Sequence, residues 1–205
     1  MAPHNNTRDK RLAPLIIPSS WTRLLDLEKE FGRTAPLEAD LGCGKGRFLH
    51  ARASAFPEVN FLGVDRLLRR VRKTGSKIVR SSLSNVRLLR IDTRYAVAWL
   101  LPPSSVRVFY IFFPDPWPKR RHHGRRLFSP SFVKSLHEAL EENGSVHVAT
   151  DHMDYFKDIK RMFEDDGRFA SLPEFLPGDE ERSEFEIAVT EGHGPIGRCS
   201  YRKAS

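Results

Sequence analysis

The sequence predicts an α/β protein built on a doubly wound, mostly parallel sheet with an antiparallel finish. Two observations carry this. Beyond Pro36, short apolar runs of strand length alternate with longer amphipathic stretches, the pattern of successive βαβ units. The run at 106–112 is apolar enough to be buried on both faces, as the centre of a parallel sheet requires. With 205 residues, 40% hydrophobic and 29% charged, the chain suffices for one such domain with a sizeable core and is short for two.

Taken in order, residues 1–13 mix Asn, Arg, Lys and Asp without periodicity and read as a flexible basic N-terminal arm; residues 14–205 form the single domain. Ser20 is a good N-cap for a first helix that Gly32 would end, with Trp21, Leu24, Leu25 and Phe31 as its apolar stripe. A strand at 37–41, a helix at 47–56 and a strand at 60–64 follow. The helix at 67–82 turns Leu67, Val71, Gly75 and Ile78 inward and presents an outward face rich in Arg and Lys. A strand at 86–91 and a helix at 95–101 lead to the central strand at 106–112. Ser129 as N-cap and Pro130 at the first helical position open a helix to 140, ended by Gly144. A strand at 146–150, a helix at 153–163 and closing strands at 185–189 and 196–201 complete the chain.

Thirty-four Lys and Arg against 26 Asp and Glu give a formal charge of +8, which favours a polyanionic partner, nucleic acid first. Cys43 and Cys199 form neither a CxxC pair nor a Cys/His ligand spacing, so a reducing cytoplasm is expected, and no metal. The longest apolar runs, 96–101 and 106–113, are far too short to span a bilayer, so no membrane association is expected.

In open α/β sheets ligands bind at the carboxyl ends of the strands, where the strand order reverses. The first long strand ends in Asp40-Leu41-Gly42-Cys43-Gly44-Lys45-Gly46, a glycine turn that lets backbone approach a ligand and aims helix amides at an anion. Arg47 stands where a dinucleotide fingerprint has its last glycine, which disfavours NAD. Asp65, 19 residues after Gly46, ends the next strand and suits ribose hydroxyls. Asp92 ends the third and could meet a purine.

The densest signal is Phe112-Phe113-Pro114-Asp115-Pro116-Trp117-Pro118-Lys119. Three prolines remove donors and fix φ, making a rigid lip that holds Asp115. Lys119, Arg120, Arg121, Arg125 and Arg126 then place five cations in eight residues, suited to a phosphate backbone. Asp151, and Glu186 within Ser183-Glu184-Phe185-Glu186, offer carboxylates matching the two Watson–Crick donors of guanine.

These residues together resemble the tRNA (guanine-N7)-methyltransferase family of the bacterial single-subunit type, over about 37–201. The resemblance implies a Rossmann-like, seven-stranded class I methyltransferase sheet with an antiparallel C-terminal strand. It implies S-adenosylmethionine as co-substrate, contacted by Asp40, Gly42, Gly44, Asp65, Arg66, Asp92, Thr93 and Asp115, with Asp115 at the reaction centre. Lys119, Asp151, Ser183, Phe185 and Glu186 would contact the RNA, the target being guanine-46 of the tRNA variable loop. The chain would act as a monomer or homodimer with no obligatory protein partner. Asp40 and Asp65 stand where members often carry Glu, Ser183-Glu184 where they commonly read Thr-Lys, and no arginine follows Glu186. Two rival readings are an exocyclic-amine methyltransferase, since Asp115-Pro116-Trp117 is one proline short of a DPPW motif, and an RNA-binding module without catalysis.

Overall fold

The structure, a computed structural model, describes residues 14–204; the arm expected at 1–13 lies outside them. The elements are β1 (Leu15–Ile16), α1 (Leu27–Phe31), β2 (Leu37–Leu41), α2 (Arg47–Ala55), β3 (Asn60–Val64), α3 (Leu68–Arg80), β4 (Val86–Leu89), α4 (Thr93–Tyr95, continued by a π-turn Ala96–Leu100), β5 (Val106–Phe112), α5 (Pro130–Ala139), β6 (Leu140–Thr150), α6 (Met153–Asp166), β7 (Phe169–Leu172), α7 (Glu184–Glu191) and β8 (Gly197–Lys203). They form one sheet in the order β1-β4-β3-β2-β5-β6-β8-β7. All pairs are parallel except those made by β8, which runs antiparallel between β6 and β7. The order reverses between β2 and β5, paired through Ala39–Phe109 and Asp40–Tyr110, so the switch point falls beyond Leu41 and Phe112.

Alternate residues of each strand serve opposite faces. Phe61 and Leu88 join Leu49 and Ala53 of α2 and Val71 and Ile78 of α3 in one cluster. Their neighbours Leu62 and Leu89 join Leu100, Phe132 and Leu136 of α5 and Ile159 and Phe163 of α6 in the other. Each fully buried side chain of this kind stabilises the fold by about 1.5–3 kcal/mol relative to exposure.

The fold class is as expected: seven strands in doubly wound order, plus the two-residue β1 at the edge. Several elements differ from the sequence expectation. α1 starts at Leu27 rather than at Ser20, because Asp26 caps it by accepting the Lys29 N–H at 3.1 Å; Trp21 and Leu24 are exposed. Leu67, expected inside, precedes α3 and is also exposed. β6 starts at Leu140, and Gly144 sits in a bulge within it: Leu140 pairs with Val106 and Ser145 with Val108, so 141–144 loop out of register. The segment expected as a strand at 185–189 is instead α7. Ser183 accepts the Glu186 N–H at 3.0 Å as N-cap, Glu184 and Glu186 favour the positive end of the helix, and both edges of β6 are already taken by β5 and β8. β7 was not anticipated.

Candidate active site

β2 delivers Asp40 to the switch point and turns into α2 through the glycine run. The Gly42 and Cys43 amides donate to Val64 O at 2.8 and 3.0 Å, holding the turn against the end of β3. Gly42 has φ 92°, and a Cβ added there would meet no atom within 4 Å; the backbone leaves open floor where a ligand could lie. Gly46, with φ 72°, packs under Thr74 of α3, whose Cγ2 would stand 2.3 Å from an added Cβ, so this glycine permits helix–helix approach. Asp65 is buried and clamps the two turns: it accepts from Gly44 N at 3.2 Å and Leu67 N at 2.8 Å and pairs with Arg70 at 3.4 Å. Asp40, also buried, has its carboxyl pushed up to about 8 by burial and by the neighbouring charge of Asp65. Asp92 caps α4, accepting from Arg94 N at 2.9 Å.

β5 ends in the proline lip. Phe113 and Trp117 bracket Pro114-Asp115-Pro116 with φ 53° and 42°, left-handed values that cost a bulky residue of order 1 kcal/mol or more and that cluster at functional sites. Phe113 is pinned by its N–H to Ala149 O at 2.7 Å. The far side is tied by Arg126, which donates Nε to Pro116 O at 2.9 Å, pairs with Asp158 at 2.7 Å and lies over the Tyr155 ring at 4.7 Å. Arg126 is 5% exposed; of the five cations read as a phosphate-binding run, it is a strut for the lip. Lys119, Arg120, Arg121 and Arg125 remain exposed around a 3₁₀ turn at 120–125, with Arg125 over the Trp117 ring at 5.1 Å.

Two depressions adjoin at the switch point. The first, about 510 Å³, is walled by Asp65, Arg66, Asp92, Thr93 and Arg125 among others. The second, about 380 Å³, is walled by Asp40, Gly44, Phe48, Ser183 and Phe185 among others. Gly42, Arg70, Phe112, Phe113 and Asp115 line both. Asp115 therefore stands on the shared wall, exposed, with Arg66 at 3.7 Å as its ion-pair partner. α7 covers the second depression through Phe185, whose ring lies 5.0 Å from that of Phe113. The approach to α7 is held by α2: Arg47 Nε donates to Arg182 O at 2.8 Å, and Arg52 joins Glu181 at 3.1 Å to the buried Glu38 at 3.3 Å. The arginine that replaces a dinucleotide-motif glycine thus anchors a lid.

All the residues expected to contact the co-substrate line this cleft, as do Ser183 and Phe185. Three expected RNA contacts do not. Lys119 lies outside on the lip, and Asp151 is half-buried at the end of β6 with no side-chain partner among the described residues. Glu186 is buried beneath α7, where Arg198 of β8 donates to its Oε1 and its Oε2 has no partner among the described residues. Arg70 and Phe48 line the cleft without being singled out by the sequence, where Phe112 stands only as the start of the proline run. Phe112 ended the central apolar run and was open to inference; nothing in the sequence distinguished Arg70 from its basic neighbours. Among the described residues, no helix is long and apolar enough to cross a membrane.

A family model described as "Putative methyltransferase" matches residues 34–196. Among solved structures, the 16S rRNA methyltransferase KamB superposes with a TM-score of 0.66 at 14% identity, covering 89% of this chain and 95% of that one. A SAM-dependent methyltransferase from Aquifex aeolicus gives 0.59 at 14%, covering 91% and 94%; at such identities the likeness is one of fold. Curated relatives carry the name tRNA (guanine-N(7)-)-methyltransferase. The Nocardia farcinica protein is 35% identical over 89% of this chain and 68% of its own length, and the Idiomarina loihiensis protein 32% over 90% and 78%. The Thermotoga maritima protein is 38% identical over 72% of this chain; the chain spans only 47% of that relative. With the acids, the glycine turn and the proline lip gathered at one switch point, the chain belongs to the tRNA (guanine-N(7)-)-methyltransferase family of enzymes.

Proposed function

We propose that this chain transfers a methyl group from S-adenosylmethionine to N7 of a guanine in tRNA, at position 46 of the variable loop, working in the cytoplasm. The observation that carries this reading is the position of Asp115, on the wall shared by two adjoining depressions at the switch point.

The site fits S-adenosylmethionine. Each depression has the volume of a small-molecule site, and the bare floor at Gly42 leaves room that a side chain would fill. Asp65, Asp92 and Thr93 would hold the adenosine half; Asp40 and the Gly42–Gly44 turn would hold the amino-acid end. When bound, this co-substrate supplies an electrophilic methyl group on a sulfonium.

Guanine N7 carries an exposed lone pair and no proton, so the protein has to align rather than deprotonate. Asp115 serves as a fixed negative charge beside a system that stays cationic as its charge moves to the purine. The proline frame, the left-handed Phe113 and Trp117, and Arg126 keep that charge in place. Phe113 and Phe185 form an apolar wall for the base, and Lys119, Arg120, Arg121 and Arg125 meet backbone phosphates.

Transfer of labelled methyl from S-adenosylmethionine to bulk tRNA, followed by nucleoside identification, tests the reading. N7-methylguanosine, with borohydride–aniline scission at position 46, is the expected product. Label in N6-methyladenosine, or none in RNA, overturns it. Asp115→Ala should fold and bind co-substrate yet lose single-turnover methylation.

A further inference from the structure

Helix α3 carries Arg69, Arg70, Arg72, Lys73, Lys77 and Arg80 and no acidic residue. At about 100° per residue, Arg69, Arg70, Lys73, Lys77 and Arg80 fall within an arc of about 100°. They turn away from the buried face formed by Val71, Thr74, Gly75 and Ile78. A merely solvated helix face interleaves opposite charges at i,i+4; here like charges occupy those spacings and repel one another in the free protein. The nearby acids that answer them lie at the ends: Asp65 with Arg70 at 3.4 Å and Glu184 with Lys77 at 3.3 Å. Arg69, Lys73 and Arg80 have no ion-pair partner among the described residues.

The stripe has two defined ends. Arg70, with Arg66 just before the helix, lines the cleft that holds Asp115. About 15 Å along the helix axis, Lys77 and Arg80 line a separate groove between α2 and α3 together with Arg47, His50 and one acid, Glu180. α3 follows β3, and the basic turn at 120–125 follows β5, so the two cationic surfaces flank β2 on opposite sides.

We propose that the α3 stripe is a second surface for the RNA backbone. A run of substrate phosphates leaves the cleft past Arg66 and Arg70 and lies along α3 to the Lys77–Arg80 groove. The proposal rests on tRNA being the substrate. The face offers cations without an apolar rim inside the arc, which suits a phosphate chain rather than insertion into a lipid surface.

The test compares the wild-type chain with a triple variant, Arg69→Gln, Lys73→Gln and Arg80→Gln, none of which lines the Asp115 cleft. Binding to fluorescent tRNA is measured by anisotropy from about 50 to about 200 mM KCl. With each lost phosphate contact lowering the log–log salt slope by about one, the variant's slope should be shallower by roughly two to three and its affinity roughly tenfold weaker at the low-salt end. Calorimetric binding of S-adenosylmethionine should match wild type, which checks the fold, and the single variant Lys73→Glu gives the same readout independently. An unchanged slope in both variants, beside a wild-type chain that binds and methylates tRNA, overturns the α3 surface alone. A wild-type chain that neither binds nor methylates tRNA overturns the substrate reading and this proposal with it. Equal affinity for anionic phosphatidylserine vesicles and tRNA, lost together in the variants, overturns RNA as the occupant.

Discussion

Replacing Arg126 by Ala removes the strut beneath the proline lip. The guanidinium makes one charged hydrogen bond to Pro116 O at 2.9 Å, one to Asp158 at 2.7 Å, and a stacking contact over Tyr155. Charged hydrogen bonds contribute about 1.5–3 kcal/mol each and a desolvated cation–π contact about 1–2 kcal/mol. Asp158 is 33% exposed and keeps Arg161 at 3.0 Å as a second partner, which reduces the penalty well below that of a fully buried orphaned charge. The net cost should be about 2–4 kcal/mol for Arg126→Ala and about half that for Arg126→Lys, which keeps the charge but not the fork. Urea unfolding followed by circular dichroism measures it. With Pro116 released, Asp115 shifts, and displacement of about 1 Å is enough for roughly 100-fold in kcat/KM. Asp115→Ala provides the contrast: that side chain is 71% exposed, so stability should move by no more than about 0.5 kcal/mol. An Arg126→Ala protein as stable and as active as wild type would refute the reasoning.

The raised pKa of Asp40 fixes the sign of a pH effect. The folded carboxyl holds its proton to about pH 8, whereas in the unfolded chain it ionises near 4, so stability from this group is greatest below about pH 4 and declines as pH rises towards 8. Asp40→Asn should flatten that decline in chemical unfolding measured at pH 5 through 8; an identical slope in the variant would show that Asp40 is ionised in the fold. Gly46→Ala places a Cβ 2.3 Å from Thr74 Cγ2 at a left-handed φ and should cost about 2–4 kcal/mol, seen as a lowered urea midpoint. Combining it with Thr74→Ala should recover part of the loss, because the contacts to Cγ2 and Oγ1 at 2.3 and 2.7 Å go while the Cβ contact at 2.9 Å and the backbone strain remain.

The sheet was legible because each long strand holds a short, mainly apolar run near turn residues, with Glu38 and Asp40 in β2 and Arg107 in β5 as polar exceptions, and the candidate cleft because the acids stand at the strand ends that topology brings together. The short elements were not legible. Glu184-Phe185-Glu186-Ile187 alternates like a strand, and so short a run cannot separate the two periods; the Ser183 cap and the occupied edges of β6 decide for helix. Gly144 is a fair stop signal that the structure spends on a bulge. Arg126 looks like its neighbours in a basic run, and only the position of Asp158, 32 residues further on, turns it inward. The same holds for Glu184, whose departure from the family's lysine reads as a lost cation until α3 is seen to present Lys77 to it at 3.3 Å.

The placement of β8 has a consequence for how the chain reaches its final form. β8 comes last of the elements along the chain yet lies inside the sheet, so β7 has no neighbour and β6 has a bare edge until Gly197–Lys203 is in place. These pairings are non-local, as are β1–β4 and β2–β5, and closing such loops slows the formation of all of them. The same strand supplies Arg198 to Glu186 beneath α7, which couples the helix over the cleft to the pairing of β8. Amide exchange should therefore report β6–β8, β7 and α7 as one cooperative unit that opens together, and a chain interrupted before Gly197 should expose an aggregation-prone edge and leave its lid unanchored.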